Sequence, residues 1–391
     1  MATEGKHQLH PTVRAAGWVS LFTDLSSEII YPLLPLFLVG PLGASVAFVG
    51  LIEGLAESVA SLLKLVSGWW SDQLGKRRPL VVFGYGLSGL TRPLMALVAA
   101  PWQVLAIRLC DRVGKGLRGA PRDALIADVT APEQRGRAFG YQRAMDHTGA
   151  VLGPLVAFGL LHGCHWRLST VFAVAAVPSL LATVAVVGWV RDGEGGIAAK
   201  PGRVPLSMAA WRALDRRLVN LVLVIGLFTL GNSSDAFLLL RARDLGVGEA
   251  WIPILWVALH LVKAASSTPA GSLSDRIGRR RVILGGWLVY GLVYLGFGLA
   301  QVAWQAWALF AVYGLYFGLT EGVEKALVAD LAGAEHKGTA FSLYTFVIGI
   351  AALPASLMMG ALWSAVGPLA AFGLGALLAV LASVALMVVG R

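Results

Sequence analysis

Charge is the scarce ingredient of this chain. Only 14% of its 391 residues are charged, against 57% that are hydrophobic; a soluble domain is nearer a quarter charged. The shortage excludes a single water-solvated core, because so much apolar surface has nowhere to hide, and makes the bilayer the expected solvent. Acid is scarcer than base. Against 22 Asp and Glu stand 32 Lys and Arg, a net charge of +10. The bases fall in short clusters between apolar runs, which is a pattern of membrane topology and lipid contact and not of nucleic-acid binding. Two cysteines, Cys110 and Cys164, make no disulfide framework and fit no metal spacing. The seven histidines are dispersed, and the N-terminal pair His7 and His10 is a weak signal. There is no Gly-rich phosphate loop, so ATP is not the expected energy source and no cofactor is implied. No nucleophile–base spacing points to an enzyme. The polar start, MATEGKHQLHP, leads into an apolar run that contains acids, unlike a cleavable signal.

What the chain has in abundance is apolar runs. Segments long enough to span fall at roughly 14–39, 46–70, 79–99, 101–127, 138–161, 167–190, 217–240, 250–273, 280–300, 303–329, 339–362 and 366–390. That is twelve, six on either side of a polar stretch at 191–216 that reads as a linker. In lipid, runs of this length mean helices. The expected domains are 1–190 and 217–391. Lys76 to Arg78, Arg135, Arg137, the linker bases, Arg279 to Arg281 and Lys337 fall on one side. The loops near 40–45, 100 and 301 carry no Lys or Arg; Arg167, Arg241 and Arg243 are exceptions. The basic side is expected to be cytoplasmic, with both termini and the linker inside a cell membrane, a bacterial inner membrane in the first instance.

The two sets of six repeat one another. Gly68-Trp-Trp-Ser-Asp72-Gln-Leu-Gly75-Lys-Arg77-Arg78 returns as Gly271-Ser-Leu-Ser-Asp275-Arg-Ile-Gly278-Arg-Arg280-Arg281. Ala124-Leu-Ile-Ala-Asp128 returns as Ala326-Leu-Val-Ala-Asp330, an offset of 330 − 128 = 202. Ser26-Ser27-Glu28 aligns with Ser233-Ser234-Asp235 once one gap is allowed. With six helices per half, corresponding helices run the same way, so the expectation is parallel repeats about an axis along the membrane normal.

Over its whole length the chain resembles the major facilitator superfamily. The charged loop and its second copy resemble that superfamily's signature between helices 2 and 3. Arg112-Val-Gly-Lys115-Gly116 resembles the helix 4 signature, with Lys115 where Gln is usual. Gly149-Ala-Val-Leu-Gly153-Pro154 resembles the GxxxGP element of drug:proton antiporters, without the second small-residue pair after the proline. The resemblance implies an all-α integral membrane protein of twelve transmembrane helices, in two six-helix bundles related by a pseudo-twofold axis. It also implies that helices 1, 4, 7 and 10 line a central cavity.

The charges at bilayer depth carry the functional expectation, because each costs a few kcal/mol unless paired or hydrated. Asp24 and Glu28 lie on one face of helix 1 at i, i+4 spacing. Arg108, Arg112, Lys115 and Arg118 lie on helix 4, and Asp146 and His147 on helix 5. A guanidinium paired with a carboxylate favours its charged form, and separating them favours proton uptake. Asp24, Glu28, Asp146 and His147 are the candidate proton carriers, Glu28 first. Arg108, Arg112, Lys115, Arg118, Asp235, Glu321 and Tyr316 are the candidate cavity residues. Gly68, Asp72, Gly75, Arg77, Asp275, Gly278 and Arg280 are candidates for a conformational latch. Arg122 and Asp123 join them, since the 202 offset sets them against Glu324 and Lys325 of opposite sign. Helix packing and topology anchoring would also account for the glycines and the loop bases. Glu53, Glu57, Lys64, His260 and Lys263 are further ionisable residues at depth.

The expected function is proton-coupled efflux of a small amphipathic or cationic compound by a monomer in contact with lipid. The alternatives are a proton symporter or carrier of an anionic solute using the helix 4 bases, then a metal-ion exporter or a non-transporting membrane sensor.

Overall fold

The structure, a computed structural model, describes residues 9–131, 134–192, 211–212 and 214–389. Most of the stretch read as a linker, His7 and the side chain of Lys337 lie outside the described residues.

The described chain is helical almost throughout. The spanning helices are α1 (Pro11–Val39), α2 (Val46–Leu74), α3 (Arg78–Leu97), α4 (Pro101–Asp128), α5 (Arg135–Gly163), α6 (Leu168–Trp189), α7 (Arg216–Asp244), α8 (Glu249–Ile277), α9 (Arg279–Leu299), α10 (Ala303–Ala332), α11 (Gly338–Ala365) and α12 (Pro368–Val389). About twenty residues cross the hydrocarbon core, and every one of these is long enough. Eleven are also apolar enough. The twelfth, α4, has the length but carries Arg108, Asp111, Arg112, Lys115, Arg118, Arg122 and Asp123. It hides that charge by turning Arg108, Asp111, Arg112 and Arg118 inward, all buried. The run Ala303–Ala365 is helical without a break, and the polar residues Gly333 to Lys337 divide it into α10 and α11 by composition.

Helix starts follow local chemistry. His10 accepts the Thr12 N–H ahead of Pro11, and Asp215 accepts the Arg217 N–H at the start of α7. Gln103 Oε1 accepts the N–H groups of Ala99 and Ala100 at the start of α4 (2.7 and 3.0 Å). Gln305 Oε1 does the same for Gln301 and Val302 at the start of α10 (2.7 and 3.1 Å). The two glutamines are 305 − 103 = 202 apart, so the repeat offset of the sequence is also a repeat of helix capping.

Several spans depart from a regular α-helix where the sequence reads as continuous, among them α3 over Arg92–Leu97 and α6 at Ala175. Two of the breaks fall beside candidate residues. In α1 a 3-10 turn, Tyr31–Leu33, follows Glu28. In α7 the helix stops at Gly231 and resumes at Ala236, leaving Asn232-Ser233-Ser234-Asp235 unwound. Short polar side chains that bond their own backbone compete with the helix, and here Ser234 Oγ accepts the Ala236 N–H. An open backbone inside a bilayer must find partners in the protein. Tyr290 donates to the Gly231 carbonyl at 2.7 Å, Tyr294 to the Ser233 carbonyl at 3.4 Å, and Asn232 to the Tyr316 hydroxyl at 3.0 Å.

Packing groups the chain into two compact units. The first is Met1–Tyr31 with Leu63–Val204, the second Pro32–Leu62 with Pro205–Arg391. In the first, α1 packs chiefly against α5, and a core of Val19, Val81, Tyr85, Leu125 and Val186 fills the space toward α3, α4 and α6. In the second, the part of α2 up to Leu62 lies against α11, with Ser58 Oγ donating to the Gly349 carbonyl at 2.5 Å. A stack of Phe228, Trp287, Tyr290, Tyr294, Tyr313 and Tyr316 fills its centre.

Candidate functional site

In the first unit the glycines of α5 are docking points for the acidic turns of α1. A Cβ on Gly149 would lie 2.9 Å from Leu25 N and 3.1 Å from Asp24 Cβ. A Cβ on Gly153 would lie 2.8 Å from both Glu28 Cβ and the Leu25 carbonyl. Only glycine at these two positions lets the helices meet this closely. Asp24 and Glu28 are both half-buried. The charged groups whose fields act on Asp24 are Asp146, Glu28, Lys115 and Arg118. Asp146 accepts from Gln142 at 2.7 Å and pairs with Arg143 at 3.6 Å; Gln142 also donates to Ser20 on α1. His147, the next residue, is exposed.

The buried bases of α4 split into separate settings. Arg108 lies over the ring of Tyr31, 5.4 Å from its centroid, at the end of the first part of α1. Arg112 lies 3.7 Å from Asp111. Asp111 is held by Arg92 of α3 at 2.9 Å, and Arg92 also donates to the Thr23 carbonyl of α1 at 2.7 Å. Arg118 donates to Ser88 at 2.6 Å and stacks over Tyr85 at 4.4 Å. Lys115 is exposed. Arg92 and Asp111 are site residues that the sequence reading passes over. The signal for them was an arginine inside an apolar run with no acid on its own helix, and an acid of opposite sign beside Arg112.

In the second unit, Asp235 accepts from Tyr313 at 2.7 Å at the end of the unwound segment of α7. Lys263, Glu57 and Glu53 are the charged groups acting on it. Tyr316 belongs to the same stack through Asn232. Glu321 is exposed and bridges Lys263 (2.7 Å) and Lys325 (3.3 Å), with Lys263 also over the ring of Phe317. Glu324 is buried and accepts from Trp287 at 2.9 Å and Tyr344 at 3.4 Å. Arg122 is held by Asp123 beside it, at 2.8 Å.

The loop signature forms the same knot in each unit. Arg77 bonds to Asp72 and, at 3.3 Å, to Asp128 at the end of α4. Arg279 bonds to Asp275 at 3.5 Å and to Asp330 near the end of α10 at 2.5 Å. Gly75 and Gly278 turn the loop with φ of +61° and +95°. Gly68 faces Ala120 of α4, where a Cβ would come within 3.3 Å. The alignment from Asp and Gly pairs Arg77 with Arg280, but Arg279 holds the acids. The loop from Asp to Arg spans 77 − 72 = 5 residues in the first copy and 279 − 275 = 4 in the second, so the matched arginine shifts by one.

A sequence profile of the Major Facilitator Superfamily matches residues 16–259 and 236–391. An uncharacterized MFS-type transporter of Methanocaldococcus jannaschii is 33% identical, over 98% of this chain and 96% of its own. Multidrug resistance protein MdtH of Cronobacter sakazakii is 26% identical, over 82% of this chain and 78% of its own. Among solved structures, a peptide transporter POT in complex with sulfate superposes with a TM-score of 0.80 at 15% identity, covering 97% of this chain and 94% of that one. Profile, relatives and fold agree over both repeats: the chain belongs to the major facilitator superfamily and is a multi-pass membrane transporter of small molecules.

Proposed function

We propose that the chain is a proton-coupled exporter of a small amphipathic or cationic compound. It works as a monomer in a bacterial inner membrane, with both termini cytoplasmic and the repeats 1–190 and 217–391 as its moving bodies. The observation that carries this reading is the seating of the GxxxGP element on the acidic turns of α1, Gly149 against Asp24 and Gly153 against Glu28. It ties the antiporter-like motif to the only two acids of α1. The name of the relative MdtH points the same way. Arg108 is the α4 partner for the switch, since Arg112 is taken up by Asp111 and Arg108 covers Tyr31, three residues on from Glu28 on the same helix face. A nearby guanidinium keeps the carboxylate charged; a cationic substrate or a proton takes its place when the two part.

Ethidium efflux from proteoliposomes under imposed pH gradients of either sign tests the proposal. Wild-type flux is expected to reverse with the gradient. Glu28→Gln is expected to abolish gradient-driven flux while leaving ethidium exchange, with Asp24→Asn less severe. Flux indifferent to the gradient in the wild type would refute proton coupling.

A second reading, a carrier of an anionic solute, draws on the buried cations of α4. Arg92, Arg108, Arg112 and Arg118 are buried around one buried acid, Asp111, and such an excess of positive charge favours an anionic partner. Uptake of radiolabelled benzoate that is lost in Arg112→Gln, with no ethidium efflux, would favour it.

A further inference from the structure

At the basic end of the first unit, the start of α1, the ends of α4 and α6 and the start of α5 line an open cavity of ≈ 1140 Å³. Arg14, Arg135 and Arg191 line it, and all three are exposed. Among the described residues none of the three forms an ion pair. Thr130 lines it too. Its hydroxyl is buried and makes no hydrogen bond, and the residue is only 9% exposed. A buried hydroxyl without a partner is costly, and this residue lies in the wall of the cavity. The two acids in the lining are already engaged. Asp128 is bonded to Arg77, and Asp192 accepts the N–H groups of Arg77 and Arg78 at 3.1 and 2.9 Å. Trp18 and Trp189 flank the cavity and are 45% and 60% exposed, as aromatic residues at the headgroup level are.

The second repeat provides an internal comparison. Val129 and Thr130 correspond at the 202 offset to Leu331 and Ala332, and these line a cavity of ≈ 280 Å³ with Leu214, Asp215, Leu218 and His336. Among the described residues its lining holds no arginine, and alanine replaces the threonine. The larger, cationic version therefore belongs to one repeat and does not follow from the fold.

We infer that the first cavity binds the phosphodiester of an anionic phospholipid. The three guanidiniums supply the charge, Thr130 donates to a phosphate oxygen, and Trp18 and Trp189 rest against the glycerol and upper acyl region. Three exposed cations at a headgroup site are each worth about 1 kcal/mol, so removing all three weakens binding about a hundredfold.

The test uses the full-length, delipidated protein in neutral detergent and native mass spectrometry. Phosphatidylglycerol, phosphatidylcholine and inorganic phosphate are titrated separately. Phosphatidylglycerol is expected to bind well above phosphatidylcholine. Arg14→Gln/Arg135→Gln/Arg191→Gln is expected to lose about a hundredfold in affinity, and Arg216→Gln/Arg217→Gln at the start of α7 none. Should the triple variant fail to fold, Thr130→Val serves alone, with a loss of roughly tenfold from one charge-assisted hydrogen bond. Equal binding of the two lipids, or wild-type affinity in both cavity variants, overturns the assignment. Inorganic phosphate that saturates the site and is not displaced by phosphatidylglycerol overturns the lipid as the source.

Discussion

Arg92 and Asp111 show what one buried pair does in this protein. Their side chains are 7% and 6% exposed, and the Arg92 guanidinium also ties α3 to the Thr23 carbonyl on α1. Removing Arg92 leaves Asp111 buried with Arg112, at 3.7 Å, as an ion-pair partner, and breaking a buried pair costs up to about 3–5 kcal/mol. Arg92→Met is therefore expected to lower the unfolding free energy in detergent by up to that much, and Arg92→Met/Asp111→Asn to recover part of the loss. Equilibrium unfolding in mixed micelles checks both, and additive losses would deny the pair. This ion pair was not among the expectations drawn from the sequence. An arginine inside an apolar run is a signal open to reading that the sequence analysis passes over, and nothing in the local sequence says which acid, 111 − 92 = 19 residues away, meets it. Glu28 and Asp24 were legible because acids at bilayer depth are rare enough to be conspicuous.

Helices 5 and 7 solve opposite problems. In α5, Gly149 and Gly153 remove side chains so that α1 can lie close. Gly153→Val forces atoms onto Glu28 and Leu25, and overpacking of this kind costs about 1–3 kcal/mol. The expected result is a protein that still inserts and elutes as a single species on size-exclusion chromatography but has lost ethidium efflux. In α7 the difficulty is a broken backbone, met by tyrosine hydroxyls from α9. Tyr290→Phe/Tyr294→Phe leaves the Gly231 and Ser233 carbonyls without those donors, at about 1–3 kcal/mol for each unsatisfied group. A fall in melting temperature is expected, with Tyr313→Phe, which frees a carboxylate oxygen at the end of the break, less destabilising. The small-residue pattern of α5 could be read from spacing. The break in α7 could not, because an apolar run with four polar residues still reads as a span.

At the scale of the whole chain, duplication explains why the loop knot occurs twice. Arg77 with Asp72 and Asp128, and Arg279 with Asp275 and Asp330, join the same three elements in each unit. Arg279→Ala is therefore expected to slow transport to the same degree as Arg77→Ala, and Arg280→Ala to have little effect. Initial rates of efflux from proteoliposomes, normalised to inserted protein, distinguish the three. A larger defect in Arg280→Ala would mean that the sequence alignment, and not the geometry, identifies the functional arginine.

The sequence by itself determined the solvent, the number of spans, the repeat and the family resemblance. Each follows from composition or from spacing along the chain, and the bilayer enforces helices once a run is long and apolar. Only the tertiary structure decided which charges meet. It set Arg112 beside Asp111, put Arg108 over Tyr31, exchanged Arg280 for Arg279, and unwound α7 against tyrosines more than fifty residues away. The reason is that an ion pair or a hydrogen bond at bilayer depth is selected by which side chains can reach, and reach is set by helix packing across distant parts of the chain.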